Sequence, residues 1–223
     1  MRKISWASGR DDYARYVQNH GALGKIYPKN KYGVKGDTPS FLYVIPNGLN
    51  VPTMPSYGGW GGFFAKSKTL DNETYCYTNT DSIVKSVPKS YENYFYPDIF
   101  KNFASRMDWA EYGCGNCNPI VKVNGYTGFN AIEINVNAGE EITLDASESY
   151  DSDGDVLSFK WWHFVEAGTY SENVKISDYD GKISKINVPS DAKGKTIHII
   201  CEVTDDGTPC LKGYKRIILK VGK

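Results

Sequence analysis

Three aspartates stand at alternate positions in Asp151-Ser-Asp-Gly-Asp155, just before a stretch with two tryptophans, Trp161 and Trp162. Oxygen ligands at alternate positions are what a calcium loop requires. An EF-hand also needs glycine at the sixth position and a bidentate glutamate at the twelfth. Counted from Asp151, the glycine falls fourth and the twelfth residue is Trp162, so this is not an EF-hand. Asp also bonds nearby backbone amides in Asx-turns, and a turn is the expected arrangement here. The alternative is a bound calcium ion. Asp205 and Asp206 of Val203-Thr-Asp-Asp-Gly207 would join Asp151, Asp153 and Asp155 at one pole of a β-sandwich. Five carboxylates in one place repel unless a cation or hydrogen bonds compensate.

Cys114-Gly-Asn-Cys117 has C-x-x-C spacing, and the chain holds five cysteines. Zinc would need a second ligand pair, which Cys201 and Cys210 do not supply. A redox pair would need a thioredoxin-like βαβ setting, and none is read here. A local disulfide or inert thiols remain, with Cys201 as a small core hydrophobe. Asp37, followed by Thr-Pro, suits a helix N-cap with Pro in the first turn.

Two tryptophans invite a sugar ring. Trp60 sits in Gly58-Gly-Trp-Gly-Gly62, where glycines let backbone approach a partner and an open indole face would stack on a sugar. The plainer reading is that Trp60 fills a core gap beneath the loop. Trp161 shares a face with Leu157 and Phe159 and is expected in the core. Trp162 points the other way, either packing between domains or forming a sugar platform.

The elements that would carry these residues change near residue 112. Before it the pattern is loop-rich with helices. Helices are expected over Gly9–Asn19 and over 96–110, the latter with Pro97 in its first turn and a stripe of Ile99, Phe100, Phe103 and Met107. The run Phe41–Ile45 reads as a short core segment, and 65–95 as a long surface loop. After the breaker cluster Tyr112-Gly-Cys-Gly-Asn-Cys-Asn-Pro119, apolar residues alternate with polar ones. Ile142, Leu144 and Ala146 share one face, as do Ile197, Ile199, Cys201 and Val203, and Ile217, Leu219 and Val221. These strands predict an antiparallel sandwich, and its length predicts that 118–223 folds without the first part.

Composition narrows the function. The 26 basic and 26 acidic residues give a formal charge of zero, which argues against non-specific nucleic-acid binding. No stretch approaches the roughly 18 apolar residues of a membrane span, and Met1–Trp6 lacks the apolar core of a signal peptide. Seventeen tyrosines and 14% aromatic residues suit β-structure and sugar contact.

The second part resembles PKD-like members of the immunoglobulin-type sandwiches. Ala138–Ser147, Tyr150–Trp161 and Val203–Gly207 carry that resemblance. The whole chain is similar to the C-terminal portion of a bacterial cellulose-binding family, a nucleoside-hydrolase-like domain followed by such a sandwich. Gly36–Leu49, Gly58–Gly62, Ala104–Trp109, Trp161–Tyr170 and Lys195–Ile199 carry it. The resemblance implies an α/β fragment at 1–117, the tail of that domain, and a PKD/Ig-like sandwich at 118–223. It also implies an upstream part of the same α/β domain, secretion or a periplasmic location, and a polysaccharide or oligosaccharide partner. In nucleoside hydrolases a late His-Asp pair precedes an apolar helix, and the Asp binds calcium and sugar. Asp37 matches that Asp, while Gly36 stands where the His would be. Three functions follow: a polysaccharide-binding module, part of a calcium-dependent glycosidase, or a sandwich that only stabilises its neighbour.

Overall fold

The computed structural model describes residues 13–27, 38–66, 77–78 and 87–222. The first part is built on one long helix. A single wide turn, Ala14–Gln18, and helix α1, Gly21–Lys25, pack against helix α3, Val87–Tyr112. Between them lie helix α2, Thr38–Val44, and a two-residue pairing of strands β1, Ala65–Lys66, and β2, Tyr77–Thr78. Asp37 lies outside the described residues; the helix it was expected to cap starts at Thr38.

Helix α3 departs from the expected 96–110. It begins at Val87, so Pro88 takes the first-turn place and Pro97 stands inside the helix. An interior proline removes one backbone hydrogen bond and strains the preceding turn. Here packing outweighs that cost, because α3 is buried on two sides. Phe100, with Tyr96 and Phe103 beside it, packs on Tyr13 and Val17. Phe95, 1% exposed, packs with Ile99 on Leu42, Leu49, Trp60 and the second part. The expected loop at 65–95 is thus helical over 87–95 and paired at 65–66 and 77–78; its remaining residues lie outside those described. The Phe41–Ile45 run is only partly core: Leu42 is buried, while Phe41 and Val44 are exposed.

The second part has seven strands: β3 Ile132–Val136, β4 Glu141–Asp145, β5 Ser158–His163, β6 Lys175–Ser177, β7 Ile183–Asn187, β8 Thr196–Thr204 and β9 Lys212–Val221. They form a four-stranded sheet, β3-β9-β8-β5, and a three-stranded sheet, β4-β7-β6. Alternating side chains from both sheets fill one core, with Leu144 and Ile186 meeting Phe159, Trp161, Ile199, Cys201 and Ile217. Trp161 is in that core as expected, its Nε1 donating to Gly181 O at 2.8 Å. One pairing corrects the all-antiparallel expectation: β3 runs parallel to β9, Ile132 beside Ile217.

The outer face of the larger sheet is also buried. His198, Ile200 and Glu202 of β8, and Tyr214 and Arg216 of β9, are each at most 3% exposed. The first part covers them. Its segment 47–48 runs along β9 as an added edge, with Tyr214 N donating to Asn47 O at 3.2 Å and Arg216 N donating to Gly48 O at 3.1 Å.

Candidate functional site

Three places carry the side chains singled out above. The first is the joint between the two parts. Trp60 N donates to Asn50 Oδ1, and Asn50 Nδ2 donates to Leu42 O and Ile45 O, which folds the glycine-flanked loop inward. Trp60 is therefore 6% exposed, edge-on to Tyr214, with Nε1 donating to the Tyr214 hydroxyl at 3.4 Å. Its face is covered, so of the two readings of Trp60 the packing fits the core plug and not the sugar contact. Trp162 is half-buried against Tyr94, Phe95 and Phe164, at ring-centroid distances of 5.7, 6.5 and 5.1 Å. It is a contact between the two parts, which is the packing reading of this residue.

Charges are buried at the same joint. Lys212 Nζ lies 3.1 Å from Asp98 Oδ2 and 2.7 Å from Glu202 Oε1. The Tyr94 hydroxyl donates to Glu202, and the Tyr214 hydroxyl donates to Asp98. Burial raises the Asp98 pKa, with Lys212 opposing. Burial lowers that of Lys212, but its two carboxylate partners outweigh burial and the net shift is upward. Arg216 is fully buried, donating to Leu49 O and Gly58 O and lying 3.1 Å from His198 Nδ1. These groups hold the two parts together.

The second place is the pole of the sandwich where the β4–β5 and β8–β9 loops meet. Asp151, Asp153 and Asp155 each offer an oxygen within 4.8 Å of the others. Asp206 Oδ1 accepts from Val156 N at 2.8 Å, so the two loops adjoin as expected from their shared end. The turn reading is met in part. Asp151 Oδ1 accepts from Asp153 N, and Asp205 Oδ1 accepts from Gly207 N and Leu211 N. Burial raises the Asp205 pKa despite those bonds, with Asp151 adding to the rise. Burial first, then Asp151, Asp206 and Asp153, raises that of Asp155.

The C-x-x-C pair lies beside this pole. Cys117 N donates to Asp153 Oδ2 at 2.6 Å. Cys114, Cys117, Cys201 and Cys210 are free thiols; the fifth, Cys76, lies outside the described residues. Burial raises the Cys117 pKa, and Asp153 adds to it, the reverse of what a thiolate nucleophile or ligand needs.

The third place was not singled out as a site in the sequence. Trp109 is 44% exposed and Tyr112 is 64% exposed, three residues apart at the end of α3. Residues at that spacing neighbour one another on a helix surface. The indole is fixed: Trp109 Nε1 donates to Asn116 O at 3.3 Å. Gly115 lets the chain close on the ring, since a Cβ there would lie 3.0 Å from Trp109 Cδ1. A large aromatic face held from behind is suited to stacking on a sugar ring. The signal was present as two aromatics beyond the end of the apolar stripe, but nothing in the spacing fixed which side of α3 would be covered.

Comparison with known proteins places this architecture. Residues 6–64 match the family model described as the nucleoside hydrolase-like domain of cellulose-binding Sde182. Residues 141–221 match the C-terminal domain of cellulose-binding protein Sde0182. Both matches are to models of that cellulose-binding family, and they follow one another in this order along the chain. A solved structure of a nucleoside hydrolase-related hypothetical protein from Saccharophagus degradans, associated with carbohydrate metabolism, is 36% identical, with a TM-score of 0.80 over 95% of this chain and 53% of that one. This chain thus spans about half the length of that relative. The PKD domain of the KIAA 1837 protein is 16% identical, with a TM-score of 0.31 over 42% of this chain and 82% of that one. No curated protein matches.

Proposed function

We propose that this chain is a carbohydrate-binding unit of a secreted or periplasmic bacterial protein, with a plant-type polysaccharide such as cellulose as its ligand. The observation that carries the reading is the fixed, half-exposed indole of Trp109 with Tyr112 beside it. The cellulose-binding descriptions of both matching families and the carbohydrate association of the Saccharophagus degradans relative support it. The two-sheet part serves as a PKD/Ig-like sandwich that clamps α3 through Lys212 and β9.

The test is retention of the purified chain on insoluble cellulose, xylan and mannan. Stacking of one ring contributes up to about 1.5 kcal/mol, so Trp109→Ala should weaken retention roughly tenfold. Melting should change little, since the ring is half in solvent. Retention that is absent on all three, or unchanged in Trp109→Ala, would overturn the reading.

A second role belongs to Asp37, which falls within the stretch matching the nucleoside hydrolase-like domain. In the complete protein Asp37 would contact sugar and calcium as the equivalent Asp does in those enzymes. Gly36 in place of the histidine removes the general acid at that position, so this chain alone is expected not to cleave nucleosides. Turnover of inosine or uridine that is lost in Asp37→Ala would contradict this.

A further inference from the structure

The acidic pole contains an imbalance that its turn hydrogen bonds leave uncorrected. Asp205 is 3% exposed. Its Oδ1 accepts three hydrogen bonds, from Asn116 Nδ2, Gly207 N and Leu211 N. Its Oδ2 is buried and accepts none. Asp151 repeats the pattern: Oδ1 accepts from Asp153 N, while Oδ2 is buried with no donor. The two loops close on one another here: a Cβ on Gly207 would lie 2.4 Å from Asp155 Oδ2 and 2.4 Å from Asn116 Nδ2, the donor to Asp205. Among the described residues, no lysine, arginine or histidine forms an ion pair with Asp151, Asp153, Asp155, Asp205 or Asp206.

Buried carboxylate oxygens without a donor cost free energy that a turn does not repay. A cation removes both the repulsion and the missing bonds. We propose that Asp151, Asp153, Asp155 and Asp205 form a calcium site between the β4–β5 and β8–β9 loops. The donors are all hard oxygens, which suit calcium over zinc or copper. They come from two irregular loops rather than a rigid octahedron, which suits calcium over magnesium. Asp206, already engaged with Val156 N, holds the loops together from outside.

The site would also fix the connection from α3 to the sandwich. Asp153 accepts from Cys117 N, and Asp205 accepts from Asn116 Nδ2. Residues 116 and 117 are thus tied to the same carboxylates the ion would gather, so calcium would stiffen the crossing between the two parts.

The experiment is a thermal melt of the full chain with chelator, with calcium at about 10 mM and with magnesium at the same level, roughly ten times the weakest dissociation constants of extracellular calcium modules. Calcium should raise the midpoint by several degrees. The rise should vanish in Asp151→Asn with Asp205→Asn, and that variant in chelator should melt no lower than the parent, because repulsion has been relieved. Asp155→Asn is a second variant; Asp155 accepts no hydrogen bond from the described residues, and the calcium-dependent rise should shrink there without loss of folding. Terbium luminescence, displaced by calcium, gives a direct readout of occupancy. No rise with calcium, or a rise that survives in both variants, would overturn the site. An equal rise with magnesium would overturn its assignment to calcium.

Discussion

At the scale of single residues, the joint between the two parts depends on Lys212. It lies between Asp98 and Glu202, whose side chains are 6% and 4% exposed. Removing one partner of a buried ion cluster leaves the others uncompensated, at about 3–5 kcal/mol. Lys212→Met should therefore destabilise the chain by about that amount, measured by urea denaturation. Adding Asp98→Asn and Glu202→Gln should restore most of it, because the unpaired charges are gone. Two histidines set a pH dependence. Burial lowers the His163 pKa to about 4. Burial, then Arg216 and His163, lowers the His198 pKa to about 3. Both stay neutral when folded, whereas in the unfolded chain they take up protons near pH 6.5. Stability from this source is complete above the unfolded value and falls as pH drops from about 6.5 toward 4, where the unfolded state binds more protons. Both ring nitrogens of His163 are buried without a hydrogen bond. His163→Phe should flatten that decline, and an unchanged slope of the urea midpoint against pH would show that His163 is not its source.

At the scale of elements, the alternating strands and the core position of Trp161 were legible, because a single buried face imposes a period of two. The start of α3 was not. Pro97 looks like a first-turn proline, yet the helix runs through it because Phe95 and Phe100 are anchored in different clusters on either side. Such anchoring depends on contacts distant in sequence, which local propensity does not contain. The added edge on β9 was equally hidden. Segment 47–48 has no strand pattern, and its role rests on Gly48, whose φ is +83°. A Cβ on Gly48 would lie 1.9 Å from Tyr214 O. Gly48→Ala would force this segment off β9, breaking the bonds to Tyr214 N and Arg216 N. Backbone strain alone is about 1–3 kcal/mol, so a loss of at least that size is expected. Faster amide exchange at Tyr214 and Arg216 would locate the damage on β9.

At the scale of the whole molecule, the sequence shows one buried face on the larger sheet where the structure has two. The face of β8 carrying Ile197, Ile199, Cys201 and Val203 was visible by alternation. The opposite face mixes Ile200 with His198 and Glu202, so it reads as solvent-facing although the first part covers it. For the same reason Trp162 gave two readings, and the exposed Trp109 gave no reading as a site. This double burial changes what is expected of 118–223 alone. The core between its two sheets is complete within that segment, so it should still unfold cooperatively. Cutting away the first part uncovers Phe164, Ala167, Ile200 and Tyr214, with Trp162 beside them, as one apolar patch on the larger sheet. It also leaves Lys212 and Glu202 without Asp98 and Tyr94. Contiguous apolar patches on a free surface promote association. The segment should therefore melt below the full chain and self-associate with rising concentration, as read by light scattering after gel filtration. Ile200→Thr with Trp162→Thr should return it to a monomer while leaving the transition cooperative. A monomeric 118–223 that melts as high as the full chain would mean that the joint contributes no stability and that the two parts are independent bodies.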